Sequence, residues 1–160
     1  MAQASHEVVA TGKALAEKCS IALNPEELME VDVLMRYLYG DEIEDASTVK
    51  SIFCTNKGYR GLKAPMLAVE GKDNCWIPNF GYRYLSEDIP RGLCLVKAFA
   101  RLLKLETPTL DLLIRWGQQH LGKCYLDDQG DLQGADAAAE LQLFLHHIEQ
   151  EVKQTLKTEQ

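Results

Sequence analysis

At 160 residues the chain can bury one ordinary core, and its 46% hydrophobic and 26% charged residues are typical of a globular protein. The formal net charge of -7, with no stretch that concentrates Lys and Arg, argues against a nucleic-acid partner. No secretion signal opens the chain and no apolar run approaches the ~18 residues of a membrane span, so we expect a cytoplasmic protein without membrane association.

The five cysteines are scattered, odd in number, and never form a CxxC pair. This spacing argues against a zinc knuckle and a thioredoxin-type site, and we expect free, mostly buried thiols in a reducing compartment. The adjacent pair His146 and His147 would point in different directions on a helix, so we expect no bound metal.

The N-terminal part of the chain predicts three helices. Apolar residues recur at helical spacing in a lead helix over residues 1–22. Asn24 is followed by a proline and two glutamates, which predicts that a second helix begins there and ends at Gly40. Thr48, or the serine before it, can cap a third helix that runs to Phe53.

The middle of the chain is less regular. The stretch from Thr55 to Pro65 combines two glycines, a proline and three cations without a hydrophobic period, which predicts a loop. Leu67–Val69 predicts a short strand, and Trp76–Pro78 predicts a second extended segment after a run of turn residues.

Two strongly apolar helices follow. Ser86 is the predicted N-cap of the first, whose opening turn contains Asp88 and Pro90. Pro108 opens the second, and Gly122 ends it.

A last helix is predicted over residues 135–160, with charged residues on its solvent face. The predicted fold class is therefore all-α: a single helical domain over residues 1–160, with one or two short extended segments.

The charged residues best suited to a site flank Ser86. Arg83 and Asp88 lie five residues apart, across a predicted junction from loop to helix. A guanidinium there can bind a carboxylate bidentately, and a carboxylate in the first helical turn can orient an imidazole. The alternative is structural, with Asp88 stabilising the helix N-terminus and Arg83 pairing with a local acid.

Other candidates are less specific. Tyr84 can line a pocket beside Arg83 or simply pack through its ring. Asn56 and Tyr59 present polar groups from the predicted loop, but their spacing indicates no particular chemistry. The chain contains no Gly-rich dinucleotide fingerprint and no P-loop, so it has no cofactor-binding motif of its own.

Three motifs together resemble the C-terminal helical domain of the opine dehydrogenases, the octopine and nopaline dehydrogenase group. The family pattern Arg-Tyr-(Leu/Phe)-x-Glu-Asp-(Ile/Val)-Pro-x-Gly-Leu is matched by Arg83 to Leu93. The Pro-Thr-hydrophobic-Asp motif is matched by Pro108 to Asp111, and Leu-Gly-Lys-x-Tyr-Leu by Leu121 to Leu126. The likeness runs from about Thr11 to Gly134, so the divergent helix over residues 135–160 lies outside it.

This resemblance implies a helical domain of the kind found in 6-phosphogluconate-dehydrogenase-like and opine dehydrogenases. Enzymes of the family reductively condense a 2-oxo acid with an amino acid, using NAD or NADP held by a Rossmann domain that these 160 residues lack. The resemblance implies that Asp88 orients a catalytic histidine, expected before Met1, and that Arg83 binds a substrate carboxylate. The accompanying substrate-binding candidates are Tyr84, Asn56 and Tyr59.

Two functions remain open on the sequence alone. One is the substrate-binding domain of an opine-dehydrogenase-like oxidoreductase, expected to be inactive without its Rossmann domain. The other is a non-catalytic module, derived from that family, that binds amino or oxo acids or another protein. The expected partners are an amino acid or 2-oxo acid, and either a separate Rossmann-domain chain or a second copy of this chain.

Overall fold

A computed structural model describes residues 1–139 and 141 of the chain. Within them lie the α-helices α1 (Ala2–Lys18), α2 (Val31–Tyr39), α3 (Val49–Thr55), α4 (Arg83–Ser86), α5 (Cys94–Leu102) and α6 (Pro108–Leu121). The strands are β1 (Met66–Ala68) and β2 (Trp76–Pro78). The mostly helical fold with one small sheet confirms the predicted class. No helix in this part of the chain is long and apolar enough to cross a membrane.

Contacts divide the chain into two compact units. The first contains Met1–Pro78 and Phe99–Thr109, and the second contains Asn79–Ala98 and the residues from Leu110 onward. Each unit is described separately below.

The first unit is built around α1 and α2. Its buried apolar residues are Val9, Ala16, Met35, Ile52 and Ala100. The Ser5 hydroxyl accepts the backbone N–H of Val31 at 2.7 Å and so satisfies a donor that the first turn of α2 leaves unpaired. The prediction of a lead helix is confirmed by α1.

The prediction that the second helix begins at Asn24 is wrong. The Asn24 backbone N–H donates to the Glu27 carboxylate at 2.8 Å, and the Glu27 N–H donates to the Asn24 carbonyl at 3.0 Å. These reciprocal bonds close a single turn. Glu30 is then extended, and α2 begins only at Val31, where Ser5 caps it from a distant part of the sequence.

Local capping signals were more reliable elsewhere in this unit. Gly40 ends α2 with a φ of 41°, a left-handed conformation that favours glycine. Thr48 is the N-cap of α3: its hydroxyl accepts the Ser51 N–H, and the Ser51 hydroxyl accepts the Thr48 N–H, each at 3.0 Å. This is a capping box with serine at its third position. Both predictions are confirmed.

The two strands form an antiparallel hairpin. Its register pairs Met66 with Pro78, Leu67 with Ile77 and Ala68 with Trp76. The predicted extended segments are therefore confirmed. The predicted loop before them, Thr55 to Pro65, contains one short 3₁₀ turn, at Lys57–Tyr59.

In the second unit, the prediction that Ser86 caps a helix is wrong. The helical path already begins at Arg83, after an extended Tyr82, and the Ser86 hydroxyl donates back to the Tyr82 carbonyl at 3.3 Å. After α4 the chain forms a π-helical turn at Ile89–Leu93 before α5. Pro90 has no N–H to donate, which interrupts the α-helical bonding pattern here.

The predictions for the later part of the chain agree with the structure. Pro108 opens α6, and Gly122, with a φ of 64°, follows its end. The core contains Ile89, Cys94, Ile114, Tyr125, Leu126, Ala137 and Leu141. The predicted helix over residues 135–160 lies mostly outside the described residues, and so do His146 and His147; positions 137–139 and 141 are helical.

All five cysteines are free thiols, as predicted, but the expectation that most are buried is wrong. Cys94 is buried and Cys75 is partly buried, whereas Cys19, Cys54 and Cys124 are exposed.

Asp136 forms hydrogen bonds with the segment that directly follows α6. Its carboxylate accepts hydrogen bonds from Lys123 Nζ at 2.9 Å and from the Cys124 N–H at 2.8 Å. These bonds lower the pKa of Asp136 below its ordinary value of 3.8. The unfolded chain therefore binds a proton at Asp136 at a higher pH than the native chain does.

This linkage predicts how stability depends on pH. The contribution of Asp136 is complete above its ordinary pKa and is lost as the pH falls through the lowered native pKa. Between about pH 5 and pH 2, the free energy of unfolding should therefore fall less steeply for Asp136→Asn than for the wild type. Urea titrations at several pH values measure this, with the exposed Asp128→Asn as the control. If the free energy of unfolding depends equally steeply on pH in the wild type and in Asp136→Asn, the lowered pKa of Asp136 is contradicted.

Candidate functional site

The turn between Arg83 and Leu93 is held by two buried residues. Ile89 is 4% exposed and belongs to the core of the second unit, and Pro90 is also fully buried. The preceding residue, Asp88, is exposed. Burial of the Ile-Pro pair thus fixes the backbone beneath Asp88 while its carboxylate faces solvent.

A glycine on α6 makes room for this anchor. A Cβ built on Gly117 would collide with Ile89 Cδ1 and would lie 3.2 Å from both Cγ atoms of the same side chain. Ile89 is β-branched and buried, so it has little freedom to move aside. Gly117 therefore permits the close packing of α6 against the turn.

Arg83 is loosely held. Its side chain is 70% exposed, and its Nε lies 3.7 Å from Glu87 Oε2, one helical turn away. This distance is too long for a hydrogen bond, and exposed pairs of this kind contribute little to stability. Tyr84 is also exposed, and its ring makes an edge contact with Tyr82 at a centroid distance of 4.9 Å.

Asn56 and Tyr59 belong to the first unit, in the loop after α3. Asn56 is 5% exposed; its Oδ1 accepts the Gly58 N–H at 2.9 Å, while its buried Nδ2 has no hydrogen-bond partner among residues 1–139 and 141. The Tyr59 hydroxyl donates to Met35 Sδ at 3.3 Å, and its ring contacts those of Tyr39 and Phe53. Burial raises the pKa of Tyr59, and the Tyr39 hydroxyl raises it further, so Tyr59 remains a neutral donor.

Lys97 of α5 and Asp111 of α6 form a largely buried ion pair. Lys97 Nζ lies 2.6 Å from Asp111 Oδ1, and the two side chains are 11% and 26% exposed. Asp111 Oδ1 has no well-directed hydrogen bond among the described residues, so the interaction is one of charge rather than of aligned donor and acceptor. The pair holds the start of α6 against α5 within the second unit.

A cavity of about 340 Å³ in the second unit was not anticipated from the sequence. It is lined by Phe80, Gly81, Ser86, His120, Leu121, Lys123 and Tyr125, and neither Arg83 nor Asp88 lines it. His120 stacks on Phe80 at a centroid distance of 4.5 Å, and Trp116 contacts both rings. The spacing of Trp116 and His120, four residues apart on one helix, was the signal available in the sequence.

The predicted site residues are therefore distributed over both units. The second unit holds Arg83, Tyr84 and Asp88 within one short helical stretch, whereas the first unit holds Asn56 and Tyr59. From their spacing on either side of Ser86 we also expect Arg83 and Asp88 to open into one solvent-accessible hollow, and this stays a prediction.

A nicotinamide cofactor does not fit the residues that the structure describes. A dinucleotide site of the Rossmann type needs a parallel βαβ unit with a Gly-rich turn at a helix N-terminus. The sheet described here is an antiparallel hairpin with short, exposed strands. No group of three or more His, Cys, Asp or Glu residues in this part of the chain is arranged to hold a metal ion.

The packing of Gly117 under Ile89 can be tested by substitution. Gly117→Val adds a branched side chain where Ile89 already sits, so we expect unfolding to become easier by about 1–3 kcal/mol, the usual range for overpacking. Denaturant unfolding measures the change. Gln119→Val, at an exposed position of the same helix, is the control. A loss no larger than that of Gln119→Val would show that Ile89 is not held against α6.

Comparisons with known proteins return the same family from sequence and from structure. The family profile described as the alpha-helical domain of NAD/NADP octopine/nopaline dehydrogenases matches residues 1–121. The octopine dehydrogenase of Mizuhopecten yessoensis is 38% identical over 137 residues, which cover 84% of this chain and 32% of that protein. The tauropine dehydrogenase of Arabella iricolor is 37% identical over 101 residues, covering 63% of this chain and 25% of that protein.

A solved structure gives the same result. Octopine dehydrogenase with NADH and L-arginine superposes with a TM-score of 0.73 and 33% identity, covering 86% of this chain and 33% of that chain. The chain thus spans about a third of the length of these relatives. From the profile match and the superposition together, the chain belongs to the octopine/nopaline dehydrogenase family, within its alpha-helical domain.

Proposed function

We propose that the chain is the substrate-binding helical domain of an opine-dehydrogenase-like oxidoreductase. The full enzyme would condense the amino group of an amino acid with the carbonyl carbon of a 2-oxo acid and reduce the product. Both substrates carry a carboxylate, so the domain needs a cation that can leave its own partner and pair with the substrate.

The exposure of Arg83 is the observation that carries this proposal. Its side chain is 70% exposed, and its guanidinium is only loosely associated with Glu87. A substrate carboxylate can form two parallel, charge-assisted hydrogen bonds with it, which are stronger than the existing 3.7 Å contact. Arg83 would therefore exchange its contact with Glu87 for the substrate carboxylate.

Asp88 would act through a second group. Its carboxylate is exposed and makes no ion pair with any residue in the described ranges. Such a carboxylate can accept the Nδ1–H of a histidine supplied by another part of the enzyme, which would leave Nε2 free to exchange protons with the substrate. The buried Ile89–Pro90 pair would keep Asp88 in place for this role.

The remaining candidates would shape the site. Tyr84, packed on Tyr82, would provide an apolar wall beside Arg83. We assign Asn56 and Tyr59 to positioning the loop before the hairpin, because the Asn56 Oδ1 and the Tyr59 hydroxyl already make internal hydrogen bonds. The cavity beside His120 has no part in this assignment.

The rest of the enzyme would supply the redox chemistry. The relatives' structures contain NADH, and NAD or NADP bound by the part of the enzyme that this chain does not span would supply the hydride. The isolated chain would therefore bind substrate without turning it over. The free thiols are consistent with a cytoplasmic setting.

The test uses ligands with and without a carboxylate. L-arginine and pyruvate carry one, whereas agmatine is arginine without it. In Arg83→Gln, calorimetry should show L-arginine and pyruvate binding roughly ten- to a hundredfold more weakly, as expected for the loss of charged hydrogen bonds worth about 1.5–3 kcal/mol. Agmatine binding should not change.

Arg36→Gln is the matched control. Arg36 is also an exposed arginine paired with an acid four residues away, Asp32, at 3.0 Å. This variant should bind all three ligands like the wild type. If Arg83→Gln and the wild type bind L-arginine and pyruvate equally, Arg83 is not the carboxylate ligand.

A further inference from the structure

The β1–β2 hairpin exposes apolar side chains on both of its faces. Its register places Leu67 beside Ile77 on one face, and Met66 and Trp76 on the other. These four residues, the hairpin surface, are 39–59% exposed. Leu62, in the preceding loop, is 72% exposed.

Such a hairpin is poorly suited to water on its own. A two-stranded sheet is marginally stable in isolation, and strands that are apolar on both faces are typical of sheets covered on both sides. In the described part of the chain, the outer edge of each strand is also unpaired, which leaves backbone N–H and C=O groups available to another strand.

The net charge of the segment around the hairpin has the opposite sign to the net charge of the whole chain. Residues 55–78 contain four cations and two acids, a net charge of +2, whereas the remaining residues contain 13 cations and 22 acids, a net charge of -9. Arg60, Lys63 and Lys72 are exposed, and none has an ion-pair partner within the ranges that the structure describes. The hairpin surface is therefore apolar with a basic rim.

This charge pattern distinguishes between two occupants. A second copy in a symmetric dimer would place one basic rim against another, because each copy presents the same patch. An acidic partner would instead match the rim. The family relatives contain about twice as much additional chain as the part matched here, and that additional part is where such a partner would lie.

We propose that the hairpin surface is the docking surface for the cofactor-binding part of a full-length opine dehydrogenase, whose contact region has an apolar centre and an acidic rim facing Arg60, Lys63 and Lys72. This inference rests on the proposed function and adds to it the place where the two parts of the enzyme meet.

The test measures docking between two separate proteins. The probe is the part of the Mizuhopecten yessoensis octopine dehydrogenase outside the segment matched by this chain. Its folding is checked by the fluorescence of bound NADH. Trp76→Glu and Ile77→Lys should each weaken binding of this chain to the probe by roughly tenfold or more, as expected for a buried interface anchor. Arg60→Glu with Lys63→Glu should weaken it and reduce its dependence on salt.

Matched variants control for apolarity and charge. Leu112→Glu changes an apolar residue that is 66% exposed outside the hairpin surface, and Lys50→Glu reverses an exposed lysine outside the basic rim. Neither should alter binding. Equal weakening by Leu112→Glu and Trp76→Glu, or no measurable binding to a folded probe, would overturn the proposal.

Two further measurements cover the other outcomes. Light scattering that shows a dimer dissociated by Trp76→Glu would overturn the proposal in favour of a second copy. If the separate probe does not fold, a chimera in which this chain replaces the matched segment of the Mizuhopecten enzyme takes its place. There, Trp76→Glu should divide a single thermal transition into two and Leu112→Glu should not; identical melting of the two variants would overturn the proposal.

The docking proposal and the proposed function can fail separately. L-arginine and pyruvate binding to Trp76→Glu should equal that of the wild type, because the hairpin surface takes no part in carboxylate binding. If Trp76→Glu and Leu112→Glu affect docking equally while L-arginine and pyruvate binding still depends on Arg83, only the docking surface is rejected. Normal docking with ligand binding independent of Arg83 would reject the substrate site and leave the surface in place.

Discussion

Burial of Ile89 and Pro90 is the interaction on which the candidate site depends. The two residues anchor a π-helical turn in the core of the second unit, and Gly117 on α6 leaves space for Ile89. Asp88 precedes the anchor and Arg83 lies one turn further back, so both charged groups are presented from a backbone with little freedom. The motif shared with the opine dehydrogenases thus combines two structural residues with two exposed charged ones.

The sequence predicted those features that short-range chemistry determines. Gly40 and Gly122 adopt left-handed conformations after helices and Pro108 opens α6, through their own backbone preferences, and Thr48 caps α3 through Ser51, three residues away. The start of α2 could not be predicted in this way. It depends on a hydrogen bond between Ser5 and Val31, 26 residues apart, which overrides the signal at Asn24.

The site was predicted in part for the same reason. The motif identified Arg83 and Asp88, but not that Ser86 bonds back to Tyr82 and extends the helical path to Arg83. This helical path makes Glu87 the neighbour of Arg83, and so identifies the local acid that the structural alternative left unnamed. The contacts of Phe80 with Trp116 and His120 bring together residues 36 and 40 positions apart, and so required the fold.

The most direct test of the anchored site is a residue-resolved map of where small carboxylates bind. In ¹H–¹⁵N NMR spectra of the chain titrated with pyruvate, the account predicts that the largest shifts occur at the Arg83 side-chain Nε–H and at the backbone amides from Arg83 to Asp88. Shifts centred instead on His120 and Lys123, with Arg83 unaffected, would contradict it and would place the ligand in the neighbouring cavity.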